Sequence, residues 1–320
     1  MSHSTNKDHK HSTYVLITAA YNEETYIEKT ILSVISQTLP PKRWVIVSDG
    51  STDRTDEIVL KYAQTHPFIE LLPLREKHTR NFGAQVDAIN AGYELIRHLD
   101  FDFVGNLDAD VSFAPDYFSR LVEWIERNSD VGLAGGFIYE EIGGKFQSRR
   151  TNTSRSVAHA IQFFRRECYD AIGGYIPLRY GGPDWCAEIM ARMKGWRVES
   201  LPELPVFHHR PTGGGTGLLR YWYQQGFMDY SLGSHPLFEV VKCMRRMRSK
   251  PYVLGACARL ASFVLAHFRG GGRLVSKDFI SFLRKEQLER LRESFLHPFR
   301  NGDKSYKDNG FRSNPGPAKP

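Results

Sequence analysis

Near the start of the chain, an apolar run, a polar loop and an amphipathic helix pattern follow one another twice, and few folds accommodate that order. The apolar run at residues 14–20 precedes a helix pattern that ends near Gln37, and the run at residues 44–48 precedes a second pattern with Ile58 and Tyr62 on one face. Apolar runs of this length without alternation are typical of strands buried on both faces. Strands that alternate with helices predict an α/β fold with a parallel sheet and right-handed crossovers.

Polar residues stand where the predicted strands end. Tyr21 and Glu23 follow the first strand, Asp49 follows the second, and Asp108 and Asp110 follow a later buried run. Ligands of parallel sheets bind at the carboxyl ends of the strands. In an extended segment, the two carboxylates of Asp108 and Asp110 point to the same side. They would suit Mg²⁺ or Mn²⁺, which take oxygen ligands and often bind substrate phosphates. The alternative for an isolated Asp-x-Asp is a solvated turn or a helix cap.

A basic loop precedes the third helix pattern. Lys77, His78, Arg80 and Asn81 stand just before a helix that begins at residues 83–84. Cationic side chains beside a helix N-terminus would suit a diphosphate group. An exposed basic loop without a ligand is the alternative.

Composition limits the remaining choices. The chain has 320 residues, 41% of them hydrophobic and 25% charged, which is ordinary for a globular protein. The polar residues 1–12 contain no apolar core that could serve as a signal peptide, and we expect them and residues 301–320 to be disordered. The 4 cysteines show no metal-ligand spacing, which indicates a reducing, cytoplasmic setting.

Six short motifs follow one another along the chain. They are Ala20-Tyr21-Asn22-Glu23-Glu24, Ser48-Asp49-Gly50-Ser51-Thr52-Asp53, Leu107-Asp108-Ala109-Asp110, Ile172-Gly173-Gly174-Tyr175, Asp184 at a helix start and Lys194-Gly195-Trp196-Arg197-Val198. With these motifs in the family's order and spacing, the sequence resembles a family 2 glycosyltransferase of the GT-A fold over roughly residues 13–210. The resemblance implies a Rossmann-like, mostly parallel central sheet flanked by helices.

The resemblance also implies roles for individual residues. Asp184 would be the general base of an inverting sugar transfer, because the attacking hydroxyl must lose its proton. Asp108, Asp110 and His208 would hold Mg²⁺ or Mn²⁺, which neutralises the diphosphate leaving group of a nucleoside-diphosphate sugar, with a UDP-sugar favoured. The residues implied to contact the donor are Tyr21, Glu23, Asp49, Arg80, Asn81, Asp108 and Ala109.

Two assignments stay open in the sequence. Glu188 is a competing candidate for the base, since it stands one helical turn after Asp184, and His209 competes with His208 as the metal ligand. The chain also departs from the pattern of many family members, which have an acid in place of Ser48 and another in place of Pro183.

The C-terminal part of the chain carries the positive charge. Residues 237–300 contain basic amphipathic helix patterns, and the apolar run at residues 251–268 is interrupted by Arg259, so a membrane crossing is not predicted. Such helices can lie on an anionic membrane. Packing on the catalytic domain is the alternative. We therefore predict a catalytic domain at residues 13–211, followed by an acceptor loop and basic helices at residues 212–300.

This C-terminal pattern resembles bacterial exopolysaccharide or capsule glycosyltransferases that extend a lipid-linked sugar. It implies a saccharide or polyprenyl-diphosphate-linked acceptor and a cytoplasmic enzyme held at the inner face of the cell membrane. Two other functions remain. A sugar nucleotidyltransferase would need a basic, glycine-rich loop after the first strand, where this chain has the acidic Tyr21-Asn22-Glu23-Glu24. A basic nucleic-acid-binding module would need aromatic residues arranged as a stacking platform, so no nucleic acid is predicted as a partner.

Overall fold

The computed structural model describes residues 12–74, 82–149, 151–210, 217–247, 251–270 and 272–296. The predicted disordered ends and most of the predicted acceptor loop therefore lie outside the described residues. The strands are β1 (Tyr14–Ala20), β2 (Arg43–Ser48), β3 (Ile69–Pro73), β4 (Phe103–Leu107), β5 (Val111–Phe113), β6 (Val131–Ile142), β7 (Lys145–Ser148), β8 (Ile161–Arg165) and β9 (Arg197–His208). The helices are α1 (Ile27–Ile35), α2 (Thr55–Ala63), α3 (Phe82–Ile96), α4 (Tyr117–Arg127), α5 (Arg166–Ile172), α6 (Pro183–Met193), α7 (Leu218–Ser231), α8 (Pro236–Arg246), α9 (Val253–Phe268) and α10 (Lys277–Leu296).

One sheet organises the catalytic half, in the order β3-β2-β1-β4-β8-β6-β9-β5, with β7 paired to β6. The strands β3, β2, β1 and β4 are parallel, as the alternation of strands and helices predicted. Strand β8 lies antiparallel between β4 and β6, and β5 pairs antiparallel with β9. The sheet is thus mixed at its second half, and the two antiparallel pairings bring distant residues to the ends of β4 and β5.

The strands have unbroken runs of apolar residues, without polar alternation, because helices cover the sheet on both faces. In β1, Tyr14 and Leu16 enter the core that α1, α2 and α4 cover, whereas Val15 and Ile17 enter the core beneath α3, α5 and α6. Successive side chains of a strand point to opposite faces, so every position of β1 meets an apolar layer.

The C-terminal helices form a bundle that rests on α6. Phe279 and Leu283 of α10 pack with Cys186 and Ile189 of α6, and Leu232 at the end of α7 joins the same cluster. Helices α7 and α9 approach closely at Gly226, where a Cβ atom would lie 2.1 Å from the carbonyl oxygen of Arg259. The predicted boundary near residue 211 lies outside the described residues, so the division into two domains remains a prediction.

The Gly226→Ala variant is expected to lose about 1 to 3 kcal/mol of unfolding free energy, because the new methyl group would force α7 away from α9. Urea denaturation followed by circular dichroism measures this loss. Gly217→Ala is the matched control, since a Cβ atom there would meet no atom within 4 Å. Equal stabilities of the two variants would contradict the close approach of the helices.

Candidate active site and metal centre

The candidate site lies where β4 ends and β5 begins. Asp108, Ala109 and Asp110 connect the two strands, and Ala109 and Asp110 form a turn rather than the extended segment that the sequence predicted. The predicted geometry was therefore wrong, although both carboxylates do reach one cluster. The methyl group of Ala109 is buried in the core, so only the backbone of this residue can contact a donor.

The pairing of β5 with β9 brings a histidine to the two acids. Val111 pairs with His208, and the His209 backbone N–H donates to the carbonyl of Asp110 at 2.9 Å. As a result, His208 Nε2 lies 3.1 Å from Asp110 Oδ1. One ligand atom from each of Asp108, Asp110 and His208 lies within 4.8 Å of the others. The sequence left open whether His208 or His209 lies beside the two acids, and the structure places His208 there.

His209 has a different environment. Its Nε2 lies 2.9 Å from the hydroxyl of Ser112, and its ring stacks on Tyr26. Burial lowers the pKa of His209, and the charge of Lys29 adds to this effect. The neutral ring is therefore a packing element beside the site.

The donor atoms of the cluster fit a divalent metal ion. Two carboxylates would supply hard oxygen ligands, and His208 would supply an imidazole nitrogen. Burial lowers the pKa of His208, but the hydrogen bond and the charge of Asp110 outweigh this effect, so the pKa is raised. A bound cation would take the place of the proton on His208.

His159 is a site residue that the sequence analysis missed. It comes just before β8, and because β8 runs antiparallel to β4, its Nδ1 lies 3.2 Å from Asp108 Oδ1. Burial raises the pKa of Asp108, but the hydrogen bond and the charge of His159 lower it by more, so the net shift is downward. His159 therefore contacts one acid of the metal cluster from the neighbouring strand.

Arg210 is the second site residue that was missed, although it directly follows the two histidines that the sequence analysis singled out. It forms an ion pair with Glu23, and its Nε lies 3.6 Å from Asp110 Oδ2. Burial raises the pKa of Glu23 to about 7, against the opposing charge of Arg210. A guanidinium group thus stands beside the carboxylates, where an anionic ligand would need a cation.

The predicted nucleoside residues lie at the same edge of the sheet. Tyr21 and Asp49 follow β1 and β2, which are neighbours in the sheet, and Tyr21 is exposed. Asn22 ties their loops together, because its side-chain oxygen accepts a hydrogen bond from the Thr52 backbone and its own N–H donates to Ser51. Asn22 adopts a positive φ of 54° to do so. Two of the predicted donor contacts, Arg80 and Asn81, lie outside the described residues.

The two candidate bases differ in their surroundings. Asp184 is half-buried in the first turn of α6, and its carboxylate has no hydrogen-bond or ion-pair partner among the described residues. Glu188 is buried, and its Oε1 accepts hydrogen bonds from the Val157 N–H and the Ser156 hydroxyl. Burial raises the pKa of Glu188 to about 8. Glu188 therefore fixes the segment before β8, while Asp184 has an oxygen free to accept a proton.

Comparisons with known proteins show which family and which fold the chain resembles. The model of the family "Glycosyl transferase family 2" matches residues 15–183. The chain is also similar to the poly-beta-1,6-N-acetyl-D-glucosamine synthase of Staphylococcus epidermidis, with 31% identity over 120 residues. That match covers 37% of this chain and spans only 26% of the relative's length.

Two solved structures are similar to most of the chain. The mannosyltransferase PcManGT from Pyrobaculum calidifontis, in complex with GDP-Man and Mn²⁺, has a TM-score of 0.53 at 18% identity, over 91% of this chain and 88% of that one. TarS 1–349 from S. aureus, in complex with UDP-GlcNAc, has a TM-score of 0.51 at 15% identity, over 94% and 93% of the two chains. These similarities confirm the predicted GT-A fold.

Proposed function

Because the chain belongs to glycosyl transferase family 2, we propose that it transfers a sugar from a nucleoside-diphosphate donor to a hydroxyl group of a saccharide acceptor, with inversion at the anomeric carbon. The observation that carries this proposal is the cluster of Asp108, Asp110 and His208 at the carboxyl edge of the sheet, where His159 contacts Asp108. The family membership makes the chain a glycosyltransferase, and the geometry of the candidate site supports the further steps that we propose below.

The acidic cluster would receive the diphosphate of the donor. Asp108, Asp110 and His208 would hold a divalent metal, which when bound neutralises the charge that develops on the leaving diphosphate. We propose Mn²⁺ in preference to Mg²⁺, because an imidazole ligand suits a transition metal better. The Mn²⁺ complex of the mannosyltransferase neighbour supports this choice. Arg210 would add a second positive charge beside the diphosphate.

The nucleoside would lie over the ends of β1 and β2, against Tyr21, Glu23 and Asp49. Carboxylates at strand ends can accept hydrogen bonds from a ribose or from a base N–H. The UDP-GlcNAc complex of TarS supports a uridine nucleotide as the donor. Arg80, Asn81 and the backbone of Ala109 complete the proposed set of donor contacts.

Asp184 would act as the general base. Its carboxylate would accept the proton of the acceptor hydroxyl while the hydroxyl oxygen forms a bond to the anomeric carbon and the bond from that carbon to the diphosphate oxygen breaks. A single displacement of this kind inverts the anomeric centre. The unpartnered carboxylate of Asp184 supports this role over Glu188, whose oxygen is already hydrogen-bonded within the protein.

We propose that the acceptor belongs to surface polysaccharide biosynthesis and is carried on polyprenyl diphosphate, so that the enzyme works at the inner face of the cell membrane. The similarity to a poly-beta-1,6-N-acetyl-D-glucosamine synthase supports the polysaccharide acceptor. In this proposal, residues 13–211 are the catalytic domain, and residues 212–300 supply the acceptor loop and the basic helices.

The Asp110→Asn variant tests the metal centre. We expect its affinity for a UDP-sugar in Mn²⁺ to fall at least about 100-fold, equivalent to about 3 kcal/mol, because a ligand to the cation is lost. Calorimetric titration of UDP-, GDP- and dTDP-sugars, with Mn²⁺, with Mg²⁺ and with EDTA, measures the affinity and identifies the nucleobase of the preferred donor. Asp116→Asn, at an exposed carboxylate on the loop before α4, is the matched control. Donor binding that is equal in EDTA and in Mn²⁺ and that survives the variant would refute the proposed metal site.

A further inference from the structure

Helix α8 exposes an apolar stripe and buries an acidic side chain. Leu237, Val240, Met244 and Met247 follow one another at intervals of three or four residues, which places them on one stripe of the helix, and all of them are exposed. On the opposite side, Glu239 is buried. This is the reverse of the amphipathic arrangement that a helix has when its polar side faces water.

Helix α9 has the same inverted arrangement. Its only permanently charged residue, Arg259, is 1% exposed. Its outer stripe consists of apolar and small residues, including Leu254, which is 65% exposed, and Phe268, which is 81% exposed. Cys257 and Ala261 lie between them on the same stripe and are also exposed. No charged side chain interrupts this stripe.

An internal ion network holds the inverted helices together. Arg259 of α9 donates from Nε to Glu239 of α8 at 2.6 Å and also pairs with Asp229 of α7. The Lys242 ammonium group lies 2.8 Å from Asp229 Oδ1. Charges are costly to bury, and they would be hydrated at no such cost on the outside of the bundle. Despite this cost, the bundle has these ionic groups inside and the apolar stripes of α8 and α9 outside.

The charges around these stripes indicate what covers them. Residues 240–277 contain no aspartate or glutamate. Arg245 and Arg269, at the ends of α8 and α9, are exposed. Their positive charges complement the anionic headgroups of a bilayer, into which the apolar side chains of the stripes can insert. Among the described helices, none is both long and apolar enough to cross a bilayer.

We propose that the exposed stripes of α8 and α9 form a docking face for an anionic lipid bilayer. The docking face consists of Leu237, Val240, Met244, Met247, Leu254, Cys257, Ala261, Val264 and Phe268. It deepens the proposed function by naming the surface that keeps the enzyme beside its acceptor, and it rests on that proposal only for the identity of the acceptor.

Helix α7 connects the docking face to the proposed base. One end of the connection is the ion pair of Asp229 with Arg259, and the other is the close packing at Gly182, where a Cβ atom would lie 2.8 Å from Met228 Sδ. Gly182 immediately precedes α6, whose first turn carries Asp184. Helix α7 thus links α9, which carries part of the docking face, to the start of α6, which carries the proposed base.

Sedimentation of the full-length chain with lipid vesicles tests the docking face. The parent chain is expected to bind vesicles that contain 30% phosphatidylglycerol in phosphatidylcholine, and to bind pure phosphatidylcholine vesicles more weakly. A docking pair, Leu254→Glu with Phe268→Glu, should lower the partition coefficient roughly 100-fold, at about tenfold for each large apolar side chain lost from the lipid. The matched control pair, Leu32→Glu with Leu60→Glu, changes leucines of α1 and α2 that are 48% and 51% exposed, and it should bind like the parent.

A fluorescent label provides a second measurement. Cys257 is exposed on the docking face, whereas Cys168, Cys186 and Cys243 are buried. An environment-sensitive maleimide dye at Cys257 is expected to shift to shorter wavelengths when anionic vesicles are added. No shift and no sedimentation would overturn the proposal, as would equal losses in the docking and control pairs. A dimer in solution that the docking pair dissociates would also overturn it, because a second copy would then cover the face.

The outcome is separable from that of sugar transfer. The docking pair should bind the UDP-sugar in solution with the affinity of the parent chain, because none of its residues belongs to the candidate site. A chain that binds vesicles but no donor would refute the proposed function and leave the docking face intact. A chain that binds the donor but no vesicles would refute the docking face and leave the proposed function intact.

Discussion

The Asp184→Asn variant is expected to transfer sugar about 10²- to 10⁴-fold more slowly than the parent chain, while its affinity for the donor stays unchanged. An amide cannot accept the proton of the acceptor hydroxyl, but it fills nearly the same volume in the first turn of α6. The loss should therefore be in kcat. Release of the nucleoside diphosphate, measured at saturating donor with a polyprenyl-diphosphate-linked sugar as acceptor, gives this rate.

Two further variants make the test specific to Asp184. Glu123→Gln removes an exposed carboxylate of α4 and should leave kcat unchanged. Glu188→Gln should mainly affect stability, because Glu188 is buried and binds the segment before β8. If Glu188→Gln lowered kcat and Asp184→Asn did not, Glu188 would be the general base and Asp184 would not.

The Arg259→Met variant is expected to lose about 3 to 5 kcal/mol of unfolding free energy, because Asp229 and Glu239 would keep their burial and lose the cation between them. Both carboxylates are fully buried, and both accept hydrogen bonds from the Arg259 guanidinium. Burial and the charge of Asp229 raise the pKa of Glu239, and after the substitution Lys242 would remain beside the two carboxylates. Guanidinium chloride denaturation measures the loss, and Arg269→Met, at an exposed arginine of the same helix, should cost less than about 1 kcal/mol.

The pH dependence of this loss identifies its electrostatic origin. Burial raises the pKa of Asp229, but the charges of Lys242 and Arg259 lower it by more, so the net shift is downward. The native carboxylate therefore stays ionised, and its contribution to the stability is lost as the pH falls through the depressed pKa. Without Arg259, both carboxylates should instead take up protons in the folded state. The stability gap between variant and parent should then narrow as the pH falls below about 5. A gap independent of pH would assign the loss to packing.

Sequence reasoning found those site residues that local patterns reveal. Asp108 and Asp110 follow a buried strand, and Tyr21 and Asp49 stand at the ends of two others, so the order of strands and loops was enough to place them at one edge. His159 could not be found in this way. It reaches Asp108 only because β8 inserts antiparallel beside β4, and no feature of the local sequence indicates with which strand β8 pairs.

The sequence predicted that the C-terminal helices are amphipathic, but not which side of each helix is buried. The alternation of apolar and basic residues in α8 gave an amphipathic helix, and the structure has that helix with Glu239 inside and Leu237 outside. Arg259 counted in the sequence as an interruption of an apolar run, whereas in the structure it is the centre of an ion network. Which side of a helix is buried depends on partners far away in the chain, here Asp229 of α7.

The pairing of β5 with β9 has a consequence for how the chain acquires its metal site. His208 is separated from Asp110 by about 100 residues of chain, and contacts of such sequence separation require the closure of a long loop, which delays them during folding. A partly folded chain that has formed only β1 to β4 holds Asp108 without its imidazole partner, and it offers a metal one weak carboxylate. An ion bound to the candidate cluster would therefore stabilise the completed sheet and not a chain in which β5 and β9 are still unpaired.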